Sequence, residues 1–399
     1  MTELETPLSI LLDRGVDTIY PSREALAKEL ESGKKLTLYL GVDPTGALLH
    51  IGHTVALRKL AQFQQAGHTV ILLIGDFTGR IGDPTGKDKT RVPLTTEQII
   101  ENAKTYQNQA AKILDFDHPT NPVQLKYNST WLAKLTFADV VKLASEFTVQ
   151  QMLERDMFDR RLKENKPISL HEFFYPLMQG YDSVAMDVDL EVGGTDQTFN
   201  MLAGRTLQRS LNNREKFVVT VPLLADSNGV KIGKSEGNVI AITAEPADLY
   251  GKIMALGDDV IVQSFELCTN VPMSEINTIK SQLEAGQNPK EAKMRLAREI
   301  VTLYHSAAAA QQAEQEFHKI FAEHGKPTEI PKQPVPTSTE ALTVLVELGL
   351  AENKSAAKRL FEQGGVKLND QKVVDWKMPF TLKAGDILQV GKRNFVELS

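Results

Sequence analysis

The sequence predicts an α/β chain in three parts: a parallel-sheet domain, then a helical domain, then a small α+β domain. Three observations predict it. Strand-length apolar runs alternate with helix-period runs across the first half, as crossover-connected parallel strands require. From Pro246 the pattern turns helical. A proline-rich stretch at 326–339 then sets residues 340–399 apart.

Residues 35–42 (KLTLYLGV) read as a strand, and 51–66 as a helix with apolar Val55, Leu57, Leu60 and Phe63. Residues 68–75 (HTVILLIG) are continuously apolar, the mark of a strand buried on both faces. A Gly-rich loop follows at 75–87, then a helix over 96–114 and a strand near 123–127. In open parallel sheets ligands bind beyond the carboxyl ends of the strands. The loops at 41–50 and 75–86 both follow strands, so they belong to that edge. Pro246 suits the first helical position, where its missing N–H costs nothing. Residues 292–321 keep helical spacing without Pro or Gly. The stretch KPTEIPKQPVPTST, 326–339, has four prolines and reads as a linker. Beyond it come two short helical patterns and strands near 366–368, 387–390 and 395–398. The predicted divisions are 1–237, 238–325, the linker 326–339, and 340–399.

The length of 399 residues calls for more than one domain. Hydrophobic content of 42% and charged content of 24% fit a soluble globular protein. No apolar run reaches the ~18 residues of a membrane span. The N-terminus lacks a basic segment followed by an apolar core, so it does not read as a signal peptide. One cysteine, Cys268, excludes an intrachain disulfide. A cytoplasmic protein without membrane attachment is expected. The net charge of −6 excludes coating of nucleic acid by bulk electrostatics. A local basic face remains open.

Two short motifs carry chemistry. His50-Ile51-Gly52-His53 stands where a loop enters a helix, and helix N-termini favour anions. Lys231-Ile232-Gly233-Lys234-Ser235 lies in a Gly- and Asn-containing loop. Lysines there can close over a polyphosphate. A P-loop is excluded by spacing, because Asn228 occupies a required glycine position. The two motifs stand in this order, about 180 residues apart. Together they resemble the HIGH and KMSKS signatures of class I aminoacyl-tRNA synthetases. HIGH is unchanged, and KIGKS keeps both lysines and the serine of KMSKS.

Four further blocks narrow the resemblance. They are Tyr39 to Thr45 (YLGVDPT), Phe77 to Pro84 (FTGRIGDP), Tyr175 to Asp182 (YPLMQGYD) and Val192 to Gln197 (VGGTDQ). Tyr175, Gln179 and Asp182 share one face of a predicted helix. Over nearly the whole chain the blocks look like the bacterial-type tyrosyl-tRNA synthetase family. That resemblance implies a Rossmann-like catalytic domain, a helical anticodon-binding domain and an S4-like RNA-binding domain. It implies that Tyr39 and Asp182 bond the phenol of L-tyrosine. Asp83, Tyr175 and Gln179 would hold its α-ammonium, with Thr78 nearby and Gln197 by its carboxylate. Gly41, Asp43, Gly194 and Asp196 would form the ATP side, and Thr45 and His50 would face the γ-phosphate. His53 would lie nearer the ribose and α-phosphate. His50, His53, Lys231, Lys234 and Ser235 are the expected catalytic set. Lys354, Lys358 and Arg359 are the expected contacts to tRNA(Tyr). Mg²⁺ is expected with the ATP phosphates, with no dedicated metal ligands. A homodimer is implied, through 121–159. Glu191 stands where many relatives carry glutamine, and its role is open. A tryptophanyl enzyme would not carry the Tyr39 and Asp182 pair. Intact His50, His53, Lys231 and Lys234 argue against a non-catalytic RNA-binding paralogue.

Overall fold

The computed structural model describes residues 5–83, 95–225, 239–321, 330–373, 375–391 and 394–399. The chain forms two compact units, 1–306 and 307–399. The first is built on a six-stranded sheet. Its strands are β1 (Thr18–Tyr20), β2 (Thr37–Val42), β3 (Thr69–Ile74), β4 (Gln124–Tyr127), β5 (Leu190–Gly194) and β6 (Phe217–Val221). Their order is β1-β6-β5-β2-β3-β4, and only β1 runs antiparallel to its neighbour. The chain winds outward from β2 through β3 to β4, then returns to lay β5 and β6 on the other side of β2. That reversal makes β2 and β5 the switch point, where such sheets leave a crevice beyond the strand ends. The predicted strands at 35–42 and 68–75 are β2 and β3. All of Val70, Ile71, Leu72, Leu73 and Ile74 are buried, as their unbroken apolarity requires.

Three helices place the functional side chains. Ile51–Gln65 connects β2 to β3 and buries Val55, Leu57, Leu60 and Phe63, the predicted apolar set. Its buried Lys59 donates to the carbonyls of Ile10 and Arg14, each at 2.7 Å. Tyr175–Met186 precedes β5, and Thr198–Asn212 links β5 to β6. These two helices meet at glycines. A Cβ on Gly180 would lie 3.1 Å from the Gly204 nitrogen and 3.2 Å from the Ala203 carbonyl carbon.

The region after residue 238 is helical, with Pro246–Met254, Ile261–Cys268, Met273–Glu284 and Pro289–Tyr304 within the first unit. Pro246 stands in the first turn, as predicted. The Arg14 and Arg58 guanidinium groups both donate to the Thr269 carbonyl, tying this region to the sheet's N-terminal layers. The run 292–321 is not one helix. It divides into Pro289–Tyr304 and Ala307–Phe321. His305 leaves the helical conformation, at φ −128° and ψ −93°, and its Nε2 lies 2.9 Å from the Ala244 carbonyl oxygen. A tertiary contact ends this helix, which no proline or glycine in the sequence announces.

In the second unit, helices Ala341–Glu347 and Lys354–Glu362 pack on a five-stranded sheet. Ala341, Val344, Leu345, Phe361, Val366 and Leu388 form its core. Asn353 caps the second helix by accepting from the Ala356 nitrogen at 2.9 Å. Gly364, at φ +65°, makes the turn into the strand Val366–Leu368. Lys332–Gln333, inside the proline-rich stretch, pair with Glu397 and Leu398 as an edge strand. Prolines are tolerated beside such an edge because no central ladder bond is lost.

The Gly180–Gly204 contact yields a prediction. Gly180→Ala gains up to ~1 kcal/mol of helix propensity. It forces apart backbone that cannot yield, at ~1–3 kcal/mol. The variant should unfold at lower urea concentration than wild type. A midpoint equal to or above wild type would show that the helices can separate freely.

Candidate active site

The carboxyl ends of β2, β3 and β5 open on a cavity of about 260 Å³. It gathers Tyr39, Gly41, Asp43, Thr45, His50, His53, Thr78, Asp83, Tyr175, Gln179, Asp182, Gly194, Asp196 and Gln197. Every predicted tyrosine- and ATP-side residue within the described part of the first unit therefore lines one space. Lys231, Lys234 and Ser235 lie outside the described residues.

One end of the cavity is the start of the helix Ile51–Gln65. His50 precedes it in extended conformation and is buried. Its backbone N–H donates to His53 Nδ1 at 3.3 Å, and the two rings sit 3.7 Å apart. The backbone of Ile51 donates to Ile240 at 3.0 Å, and that of Ile242 to Leu49 at 3.2 Å. The described chain that follows residues 226–238 is thus anchored against the HIGH segment.

The middle is organised by Asp43, at the end of β2. It accepts from Thr78 Oγ1 at 2.7 Å and from the Tyr175 hydroxyl at 2.8 Å. Gly75 makes room, since a Cβ there would stand 2.0 Å from Asp43 Oδ1. Burial, then the Asp43 charge, holds Tyr175 well above the ordinary tyrosine range. Tyr175 stays protonated and spends its proton on Asp43, which leaves its oxygen to accept. Gln197 Nε2 donates to Asp83 at 2.7 Å. The buried Arg155 stands 3.8 Å from the same carboxylate.

The deep end is polar and buried. Tyr39 on β2 is fully buried, and its hydroxyl lies 2.9 Å from Ser183 Oγ. Asp182 is 3% exposed. It accepts from Trp131 Nε1 at 2.7 Å and from Asn128 Nδ2 at 3.2 Å. Burial pushes its carboxyl well above the usual carboxylate range, against the pull of those two donors. Tyr39 and Asp182 do not bond each other, so both face the cavity.

Sequence reading missed Asn128, Trp131, Ser183 and Lys216. A signal existed for the first two, because β4 ends at Tyr127 and delivers residues 128–131 to the ligand edge. Glu191, whose role the sequence left open, forms an ion pair with Lys216, and the two side chains are 2% and 0% exposed. Glu191 also accepts from Gln179 Nε2 at 3.0 Å. Burial lowers the pKa of Lys216, against the attraction of Glu191. Gly204 admits the ammonium, since a Cβ there would stand 2.5 Å from Nζ.

In the second unit Lys354, Lys358 and Arg359 are exposed on the helix Lys354–Glu362. Lys354 pairs with Glu340 at 2.7 Å, and Lys358 lies 5.4 Å above the Trp376 ring. Among the described residues no cluster of His, Cys, Asp and Glu could hold a metal ion. Nor is any described helix long and apolar enough to cross a membrane.

Residues 31–322 match the family model of tRNA synthetases class I (W and Y). The tyrosine–tRNA ligase of Carboxydothermus hydrogenoformans is 50% identical, over 99% of this chain and 98% of that protein. That of Moorella thermoacetica is 48% identical, over 97% and 94%. The chain belongs to the tyrosyl-tRNA synthetase family of class I. The C-terminally truncated mitochondrial tyrosyl-tRNA synthetase of Coccidioides posadasii is 27% identical to it, at a TM-score of 0.62. The likeness covers 78% of this chain and 91% of that one. Class membership implies use of ATP.

Asp182 gives a pH prediction. The unfolded chain loses this proton near 3.8, whereas the folded chain holds it to higher pH. Its contribution to stability is therefore complete below 3.8 and is lost as pH rises through the folded value. Asp182→Asn removes the titration. Its Nδ2 facing donors adds only a pH-independent cost. The stability of the variant relative to wild type should climb by up to ~1.4 kcal/mol per pH unit across that window. Denaturation midpoints of both proteins from pH 4 to 8 test this. A constant difference would contradict the buried, proton-holding carboxyl.

Proposed function

We propose that the chain activates L-tyrosine with ATP to tyrosyl-adenylate and transfers the tyrosyl group to the 3′ end of tRNA(Tyr). The observation that carries this is a single cavity with two unlike ends. A buried pocket with Tyr39 and Asp182 fits a phenol, and a helix start with His50 and His53 fits phosphates.

In this reading the phenol of tyrosine lies between Tyr39 and Asp182. Its α-ammonium meets Gln179, Asp83 and the oxygen of Tyr175, with Thr78 nearby and Gln197 by the carboxylate. ATP, taken as its Mg²⁺ complex, lies along Gly41, Asp43, Gly194 and Asp196. Its phosphates reach Thr45, His50 and His53. The tyrosine carboxylate attacks the α-phosphorus in line and pyrophosphate leaves. The tRNA 3′-terminal ribose hydroxyl then attacks the adenylate carbonyl and AMP leaves. The carboxylate is already a nucleophile, so catalysis is positioning and charge stabilisation. His50, Lys231 and Lys234, with Ser235, act on the charge that grows on the phosphates.

Residues 238–325 serve as the anticodon-binding part and 340–399 as an S4-like RNA module, with Lys354, Lys358 and Arg359 on tRNA phosphates. A homodimer in the cytoplasm completes the reading. Exposed Phe137 (84%), Val141 and Val149 give it an apolar contact surface within 121–159.

ATP–pyrophosphate exchange tests the substrate. Exchange should depend on tyrosine and fail with tryptophan. Phenylalanine would leave the bonds of Tyr39 and Asp182 to the ligand unmade, and its kcat/KM should be lower by ~10⁴–10⁵, a magnitude taken over from tyrosyl-tRNA synthetases as a class. Comparable values for tyrosine and either competitor would refute the pocket. His50→Ala and Lys234→Ala should each slow adenylate formation by ~10²–10³, the cost of one transition-state contact. Tyrosine affinity should hold in both. Single-turnover rates beside tyrosine titrations decide it: lost affinity with an intact rate would reverse these roles.

A further inference from the structure

The Glu191–Lys216 pair has no place in the reaction as written. Removing two charges from water offsets much of their attraction, so stability alone does not account for it. Its hydrogen bonds do suggest a use. Lys216 has three donors and no acceptor. They go to Glu191, to Ser183 Oγ at 2.7 Å and to the Met201 carbonyl at 3.2 Å. Ser183 Oγ must therefore accept from Lys216. The remaining polar neighbour of that hydroxyl is the Tyr39 hydroxyl, at 2.9 Å. A buried donor left unmade is costly. Ser183 thus donates to Tyr39, so the Tyr39 proton turns away from Ser183, to Glu191 or to a phenol oxygen in the cavity.

The other oxygen of Glu191 fixes a second direction. A carboxylate in an ion pair only accepts. Gln179 must give it an N–H, as the 3.0 Å bond from Nε2 shows. The Gln179 carbonyl is then left for the cavity. A glutamine at 191 could donate or accept and would dictate neither direction.

We propose that Glu191 and Lys216 are a positioning pair that presets hydrogen-bond direction at both ends of the amino-acid pocket. Gln179 is held with its carbonyl toward the α-ammonium, and Tyr39 is held as a donor to the phenol oxygen. The substrate phenol then accepts from Tyr39 and donates to Asp182. This rests on the tyrosine reading above.

The test compares tyrosine with 3-(4-hydroxyphenyl)propionate, which lacks only the α-ammonium. Wild type is assayed first: if it shows no tyrosine-dependent exchange, the functional reading fails, and the inference with it. Given exchange, the double variant Glu191→Gln/Lys216→Met removes both charges at similar volume. Its tyrosine KM should rise about tenfold, the scale of one bond to a charged group. KM for ATP and kcat should stay within about twofold, and the propionate, which uses only the Tyr39 end, should weaken less than tyrosine. If tyrosine and the propionate weaken equally, the pair is only scaffolding and the proposal is overturned. An unchanged tyrosine KM overturns it too. Gln179→Leu, at a partly exposed position, covers a double variant that does not fold. It should bring the two ligands about tenfold closer, and an unchanged ratio would show that the Gln179 carbonyl is not the acceptor.

Discussion

A carboxyl group held out of water, that of Asp182, constrains everything around it. Burial raises its pKa, and its oxygens need partners supplied by the fold. Trp131 and Asn128 come from the end of β4 to supply them. Asn128 is itself held, because its Oδ1 accepts from the Phe77 nitrogen at 2.9 Å. The donors are thus locked by the backbone of the next loop. A site built this way penalises any ligand that fails to complete it. In the proposed reading, selectivity for a phenol follows from that penalty more than from shape.

The sheet makes this arrangement possible. β2 delivers Tyr39 and Asp43, β3 leads to Thr78, β4 to Asn128, and β5 carries Glu191 and leads to Gly194. All four strands are parallel, so their ends meet on one edge. Three glycines make room around the site. Gly75 admits the Asp43 carboxylate, Gly204 the Lys216 ammonium, and Gly193 the Met201 sulfur, which would lie 2.7 Å from a Cβ. Hydrogen-bond direction is then set from below. Tyr175 spends its proton on Asp43, Gln179 its N–H on Glu191, and each turns an acceptor to the space between.

Much of this was legible in the sequence, for identifiable reasons. β2, β3 and the helix Ile51–Gln65 have apolar patterns that admit one reading. The motif residues from Tyr39 to Gln197 were found by resemblance, and the structure brings them to one cavity. Lys216 was not legible. A lysine ahead of a strand normally faces solvent, and only the fold reveals the carboxylate and the missing Cβ that let it enter. The helix break at His305 depends on a carbonyl 61 residues away in sequence. The edge strand Lys332–Gln333 needs its partner at the C-terminus. Such tertiary causes leave no local pattern.

The central claim is that Tyr39, held as a donor in a buried pocket beside Asp182, reads the phenol. Tyr39→Phe removes that donor, and with it the acceptor of Ser183, a cost that falls equally on the free and the bound protein. The decisive measurement is kcat/KM for exchange with tyrosine and with phenylalanine in wild type and in this variant. The account predicts a loss of about tenfold for tyrosine and no loss for phenylalanine, which never used the donor. Equal losses for both amino acids, or none for tyrosine, would contradict it.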